Sequence, residues 1–258
     1  MRSNRLRRLF ADGDVAIGSM VMEFDTTGIS RIAAAAGADY LIFDREHTGW
    51  TAERMRMLMG TSRADAVVPI VRVPETQYHL VAQTLDTGAM GIMAPMVESV
   101  EEAELLVSSA KYPPRGKRGF GIVYSDAMES DLAETMASAN REMLLIAQIE
   151  SVAGLEAMDG IAAIDGIDML FIGPYDLTIS LGVPGEFAHA SYLDAVQNVV
   201  DTCRKHKKVA GTFVGGVEAG VDAAEQGFQC LMYANDVFLY TRALSEGVDG
   251  IRAKLDSA

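Results

Sequence analysis

Leu145-Ile146-Ala147-Gln148-Ile149-Glu150-Ser151 and, one unit later, Phe171-Ile172-Gly173-Pro174-Tyr175-Asp176-Leu177 decide how this chain is read. Each is a short apolar run, the mark of a buried strand, that ends abruptly in a carboxylate. The helix-length segment Val152 to Ala163 lies between them. The unit therefore reads strand, helix, parallel strand, with both acids at the carboxyl ends of the strands. Neighbouring strands lie roughly 5 Å apart, so if these two pair, Glu150 and Asp176 can share one metal ion. An acid after a strand is also a common cap for the following helix. Either acid alone reads both ways; the pair, with the residues below, points to a ligand set.

Outward from this unit the same alternation recurs. Strand-like runs fall at Val15 to Met22, Tyr40 to Phe43, Val67 to Val73, Gly91 to Pro95, Leu144 to Ile149, Met169 to Ile172, Val209 to Val214 and Gln229 to Tyr233. Helix signals occupy Thr26 to Ala36, Thr51 to Met59, Thr76 to Asp86, Val97 to Ala110, Ser191 to His206, Val217 to Gln226 and Val237 to Leu255. Eight such units over 258 residues predict a single-domain (β/α)8 TIM barrel spanning residues 1–258, with its site at the carboxyl ends of the strands. The main competitor is an open doubly wound sheet, and the absence of a glycine-rich fingerprint after the first strand counts against its nucleotide-binding form. Tyr112-Pro113-Pro114-Arg115-Gly116-Lys117-Arg118-Gly119 interrupts the pattern. Its prolines and glycines predict a long loop, on the barrel's top face or as a solvated connection.

Composition narrows the class of function. With 22 basic against 36 acidic residues and a net charge of −14, the chain lacks the basic surface that nucleic-acid binding needs. No stretch approaches the roughly 18 apolar residues of a membrane span. Met1 to Phe10 is basic, and Ala11-Asp12-Gly13-Asp14 follows where a signal peptide needs an apolar run. Cys203 and Cys230 have no paired spacing, which favours reduced thiols and a cytoplasmic location.

The strand ends carry the chemistry. In Phe43-Asp44-Arg45-Glu46-His47 the two-residue period sends Asp44 and Glu46 to one face and leaves His47 at the turn. In Val71-Arg72-Val73-Pro74 an arginine breaks an apolar run just before a proline stops the strand. A charge seldom enters a core unpaired, so Arg72 pairs with Asp44 or Glu46, binds an anionic substrate, or does both. Gln148 shares the face of Glu150 by the same period. Gly173-Pro174-Tyr175 forms a tight turn whose backbone N–H groups suit a carboxylate or phosphate, although a plain strand-to-helix turn explains the same residues. Asp86 stands near the carboxyl end of its helix, where the dipole disfavours an anion; it either orients a histidine or is a surface residue. None of the six lysines falls at the carboxyl end of a strand, where a Schiff-base barrel enzyme presents one. A metal is therefore the expected electron sink for carbonyl chemistry.

These residues, taken in order, resemble the HpcH/HpaI family of metal-dependent pyruvate aldolases. The resemblance runs from about Ile17 to about Leu244. It rests on Asp44-Arg45-Glu46-His47, Val71-Arg72-Val73-Pro74, Leu85-Asp86-Thr87-Gly88, the 112–119 segment, Gln148-Ile149-Glu150 and Phe171 to Leu177. It implies that Glu150 and Asp176 bind a divalent metal (Mg, Mn or Co) and that His47 is the general base, supported by Asp86. It further implies that Arg72 holds the pyruvyl oxygen, that Gln148 and Asp44 lie at the substrate, and that N–H groups around Gly173 and Tyr175 hold its carboxylate. A homo-oligomer is implied as well, a hexamer built as a trimer of dimers, with the last helix packed on a neighbouring barrel.

Tyr175 stands where alanine is frequent in the family, Met20, Met22 and Phe24 follow the first strand, and Thr48-Gly49-Trp50 predicts a bulkier entrance. The implied reaction is reversible cleavage of a 4-hydroxy-2-oxo acid to pyruvate, or hydroxypyruvate, and an aldehyde. The alternatives are oxaloacetate decarboxylation or enolate capture as in the macrophomate synthase branch, and a barrel that binds a keto acid without turnover.

Overall fold

Apolar runs of four to six residues with no polar alternation become strands buried on both faces, as a helix-covered parallel sheet requires. The computed structural model describes residues 2–121 and 131–257. Within them the strands are β1 Ala16–Val21, β2 Tyr40–Asp44, β3 Val68–Arg72, β4 Gly91–Ala94, β5 Leu144–Ile149, β6 Met169–Ile172, β7 Val209–Val214 and β8 Cys230–Asn235. All pair in parallel with their sequence neighbours, and β8 returns to β1, closing a (β/α)8 barrel. Every residue of β2 to β6 is buried.

Eleven helices accompany the strands among the described residues: α1 Arg5–Asp12, α2 Ile29–Ala35, α3 Ala52–Ser62, α4 Tyr78–Asp86, α5 Val100–Ala110, α6 Leu132–Glu142, α7 Val152–Ala163, α8 Pro174–Ser180, α9 Ala190–His206, α10 Val217–Gln226 and α11 Asp236–Asp256. Side-chain oxygens of Thr51, Ser99, Ser151 and Asn235 cap the helices α3, α5, α7 and α11. The inward faces of the strands fill the barrel with Tyr40, Ile42, Ile70, Ile146, Phe171 and the thioethers of Met20, Met90, Met93, Met169 and Met232. Leu6 of α1 packs into the same cluster. The outward faces pack against the helices.

All eight expected strands are present. Two helices, α1 and α6, were not expected. The basic start of the chain forms α1, capped by Asn4 and pinned by Arg5 to Asp39 at 2.5 Å. The 112–119 segment is not on the top face. It follows α5, which runs back to the amino ends of the strands, and buried Lys111 beside it donates to the carbonyls of Asn140 and Met143, just before β5. Trp50, partly buried, packs on the wall cluster that includes Val21, Leu41, Phe43 and Met55. No helix among the described residues is long and apolar enough to cross a membrane.

Candidate active site

Register brings the strand-end residues together. Asp44 lies opposite Arg72 in the β2–β3 pair, and Gln148 and Ile149 lie opposite Phe171 and Ile172 in the β5–β6 pair. Glu150 and Gly173 are therefore the next residues on adjacent strands. Arg72 Nε donates to Asp44 Oδ1 at 2.8 Å, and Arg72 Nη1 lies 3.1 Å from Glu46 Oε2. Both acids that the alternation placed on one face thus meet the one guanidinium. Asp44, fully buried, also accepts the N–H groups of Glu46 at 3.0 Å and His47 at 3.3 Å, which shapes the turn that carries His47. The His47 side chain is 54% exposed, with its Nε2 lying 3.6 Å from Glu46 Oε2. It faces solvent on one side and the acids on the other, a position suited to exchanging protons with water.

Glu150 is 2% exposed. Its Oε1 accepts the Met96 N–H at 2.8 Å, and its Oε2 accepts from Gln148 Nε2 at 2.6 Å. Met96 reaches it from a left-handed backbone at φ +48, a conformation uncommon outside glycine and typical of functional sites. Gly173 is required by packing, because a Cβ there would sit on Glu150 Oε2 and 2.8 Å from Gln148 Nε2. The expected turn follows: Pro174 opens α8 at its first position and Asp176 falls in its first turn. The Gly173 N–H is engaged by Ile149 O at 3.4 Å. The N–H groups left over at the helix start are therefore those of Tyr175 and Asp176. The Tyr175 ring stands half exposed, edge-on to Phe213 at 5.8 Å and Phe187 at 5.3 Å.

The charges are unbalanced in a way that suits a cation. Burial pushes the Glu150 carboxyl up to about 7, with Glu46 and Asp176 adding to the rise and the Met96 N–H and Arg72 opposing it. Glu46 is raised too, chiefly by burial, with Arg72 and His47 opposing and Asp44 and Asp176 reinforcing. Burial alone would lower Arg72, but Asp44, Glu46 and Glu150 outweigh it and raise its pKa. Gln148 Oε1 is buried with no hydrogen-bond partner. Among the described residues no three His, Cys, Asp or Glu side chains form a closed metal cage. Two carboxylates and an unpartnered amide oxygen nonetheless fit a hard divalent ion, which commonly keeps water in its remaining positions.

Asp86 is placed elsewhere. It closes α4 at the end away from the strand termini and accepts from Arg118 Nη2 at 2.6 Å, while Arg118 stacks over Tyr112 at 4.7 Å. No hydrogen bond joins it to His47 within the chain. The strand-end acids were legible in the sequence; Met96, whose contribution is a backbone N–H, left no side-chain signal.

The HpcH/HpaI aldolase/citrate lyase family model matches residues 23–243. The chain belongs to this family. As a member of the HpcH/HpaI family it is a lyase. The 2-keto-3-deoxy-L-rhamnonate aldolase of Escherichia coli (strain K12) is 33% identical over 249 residues, covering 95% of this chain and 91% of that protein. Among solved structures, an HpcH/HpaI aldolase from Desulfitobacterium hafniense DCB-2 superposes with a TM-score of 0.91 at 33% identity, covering 96% of each chain. Citrate synthase SbnG superposes at 0.89 with 29% identity, covering 97% of this chain and 98% of its own.

One expected outcome tests the cradle. Gly173→Ala displaces Glu150 and weakens Mn binding about tenfold to a hundredfold, as loss of supporting contacts does at metal sites. Titration calorimetry on the folded variant reads it; unchanged affinity would remove Glu150 from the ligand set.

Proposed function

We propose that this family member is a divalent-metal-dependent aldolase that reversibly cleaves a 4-hydroxy-2-oxo acid to pyruvate, or hydroxypyruvate, and an aldehyde. The observation that carries this reading is Arg72 held by Asp44 and Glu46 beside the buried Glu150 and the Asp176 turn. Glu150 and Asp176 would hold Mg, Mn or Co, which supplies positive charge to the oxygens of the keto acid. Arg72 would offer a cation where the keto oxygen gains charge. The free N–H groups of Tyr175 and Asp176 bind the substrate carboxylate, and Gln148 lies beside it. His47 takes the proton from the C4 hydroxyl as the C3–C4 bond breaks; the bonding pair stays on C3 as an enolate, which a proton then converts to pyruvate. Asp86 closes α4 and makes no hydrogen bond to His47 within its own chain, so it would support His47 from a neighbouring copy.

That assembly is part of the proposal. α11 exposes Val237, Phe238, Tyr240, Leu244, Ile251 and Leu255, and a cavity of about 550 Å³ opens over β1 and α2 beside its start. An apolar helix flank next to an apolar groove supports exchange of α11 between copies in a hexameric trimer of dimers. The buried free thiols of Cys203 and Cys230 support a cytoplasmic setting.

The test needs no choice of aldehyde. Deuterium exchange of the pyruvate methyl protons, followed by NMR, is expected to be fast with Mg, Mn or Co and to stop with chelator. His47→Ala is expected to slow turnover of the hydroxy-oxo acid by about a hundredfold or more, the usual contribution of a general base. Exchange at the uncatalysed rate with every metal, while pyruvate still binds, would move the chain to keto-acid binding without turnover. Likeness to a citrate synthase supports a second reading, enolate capture by another acceptor; pyruvate release from oxaloacetate compared with release from hydroxy-oxo acids separates the two.

A further inference from the structure

β8 ends in an irregularity. Its pairing with β1 slips, with Gly18 opposite Met232 but Met20 opposite Asn235, and Ala234 sits at φ +53. A non-glycine residue in this region is uncommon and marks a backbone held by its surroundings. Asn235 caps α11 by accepting the Phe238 N–H at 2.9 Å. The Asp236 carboxylate reaches the segment after β1. It accepts the N–H groups of Met22 at 3.1 Å, Glu23 at 2.9 Å and Phe24 at 2.7 Å, together with that of Val237 at 2.9 Å. Asp236 is 7% exposed, and among the described residues no cation is one of its hydrogen-bond or ion-pair partners. A carboxylate buried without a counter-charge is costly; three consecutive N–H groups from another segment offset that cost here.

What this clamp holds is a wall of the site. Met20 and Met22 share the barrel's inner face by the period of two and pack on the same interior cluster. Met20 Sδ lies 3.9 Å from Arg72 Nη2, and Asn235 Nδ2 lies 3.5 Å from Met22 Sδ. The two thioethers therefore lead from Arg72 towards the mouth. The segment's other ties lie nearer the surface: an Asp25–Arg54 pair at 2.9 Å and the Phe24 ring edge-on to Tyr240 at 5.5 Å. Around Arg72 the acids Asp44, Glu46, Glu150 and Asp176 outnumber the cation, so a second anionic group on a substrate meets repulsion there.

We propose that Asp236 is a positioning residue for the acceptor half of the reaction: it fixes the Met20–Met22 wall beside Arg72, and that wall selects aldehydes with an uncharged, apolar substituent. The inference rests on the aldol reading given above. It concerns only the step in which the enolate meets the aldehyde.

The test compares wild type with the near-isosteric Asp236→Asn, and uses Met22→Ser as a second variant that leaves the clamp intact. Pyruvate methyl exchange reads the enolate step; aldol addition of pentanal, glycolaldehyde and succinic semialdehyde at saturating pyruvate reads the acceptor step. Wild type is expected to prefer pentanal. In Asp236→Asn the KM for pentanal rises about tenfold, the range that loss of apolar contact gives, while exchange stays within about twofold of wild type. Met22→Ser loses the same preference for pentanal over glycolaldehyde. Equal losses with all three aldehydes, or a matching fall in exchange, would make Asp236 a fold residue only and overturn the proposal. A wild-type preference for the semialdehyde overturns it as well. Absence of exchange in the wild type defeats the aldol reading itself, and the assignment of Asp236 falls with it.

Discussion

Arg72→Lys lowers turnover about a hundredfold to a thousandfold and leaves metal affinity within about threefold of wild type. The guanidinium serves several groups from one plane: Nε to Asp44 at 2.8 Å, Nη1 to Glu46 at 3.1 Å, and Nη2 beside Met20 Sδ at 3.9 Å. An ammonium group is a point charge on a flexible stem and cannot hold both acids while facing a substrate oxygen. It retains the charge that buried Asp44 needs, so the fold survives the change. Arg72→Ala is the harsher variant, because stranding a buried carboxylate costs about 3 to 5 kcal/mol and mixes instability with lost catalysis. The checks are kcat on a 4-hydroxy-2-oxo acid and calorimetric titration with Mn. A lysine variant that folds but no longer binds metal would remove Arg72 from the role of oxyanion partner.

Glu150→Gln abolishes metal binding and brings turnover down to the metal-free background, yet it makes the metal-free protein more stable at pH 8. The sign follows from burial. The folded-state pKa of Glu150 is raised to about 7 from the ordinary carboxyl value of 4.5, so the folded protein binds the extra proton. The resulting penalty is absent below about pH 4.5, grows as the pH rises, and is complete above about pH 7, where it amounts to about 3 kcal/mol. On the proposed ligand set, a cation between the carboxylates would remove the penalty in wild type and would have no purchase in the glutamine variant. Thermal melts at pH 5 and pH 8, with chelator and with Mn, are expected to show Mn stabilising wild type alone and the metal-free variant melting above metal-free wild type at pH 8. A metal-dependent shift in the variant would place the ion elsewhere.

The parts of this molecule that were legible beforehand are those where local sequence and tertiary role coincide. β5, α7 and β6 could be read because a run of apolar residues ended in an acid, and the barrel's order made those acids neighbours. The meeting of Asp44 with Arg72 was legible for the same reason, since both end adjacent strands. Helix α6 buries Thr135, Ala139 and Asn140 rather than large apolar side chains, and α1 looks like a basic tail until Leu6 is seen to enter the barrel. Asp86 and Arg118 lie 32 residues apart in unrelated elements, so no local pattern announces their pairing. The clamp formed by Asp236 was equally hidden, because its partners are backbone N–H groups more than two hundred residues away.

The filling of the barrel bears on how the protein ages. Met20, Met90, Met93, Met169 and Met232 lie in its interior, and their unbranched side chains adapt their shape to one another as leucine or isoleucine cannot. Exchange of one of them for leucine is correspondingly mild. Peroxide acts differently: a sulfoxide oxygen on any of these sulfurs brings an unpaired polar atom into a dry interior. Both thiols are buried, with burial pushing Cys203 and Cys230 up to about 12, which leaves little thiolate to react first. Met20, whose Sδ lies 3.9 Å from Arg72 Nη2, is then the sulfur through which oxidative damage and loss of catalysis coincide.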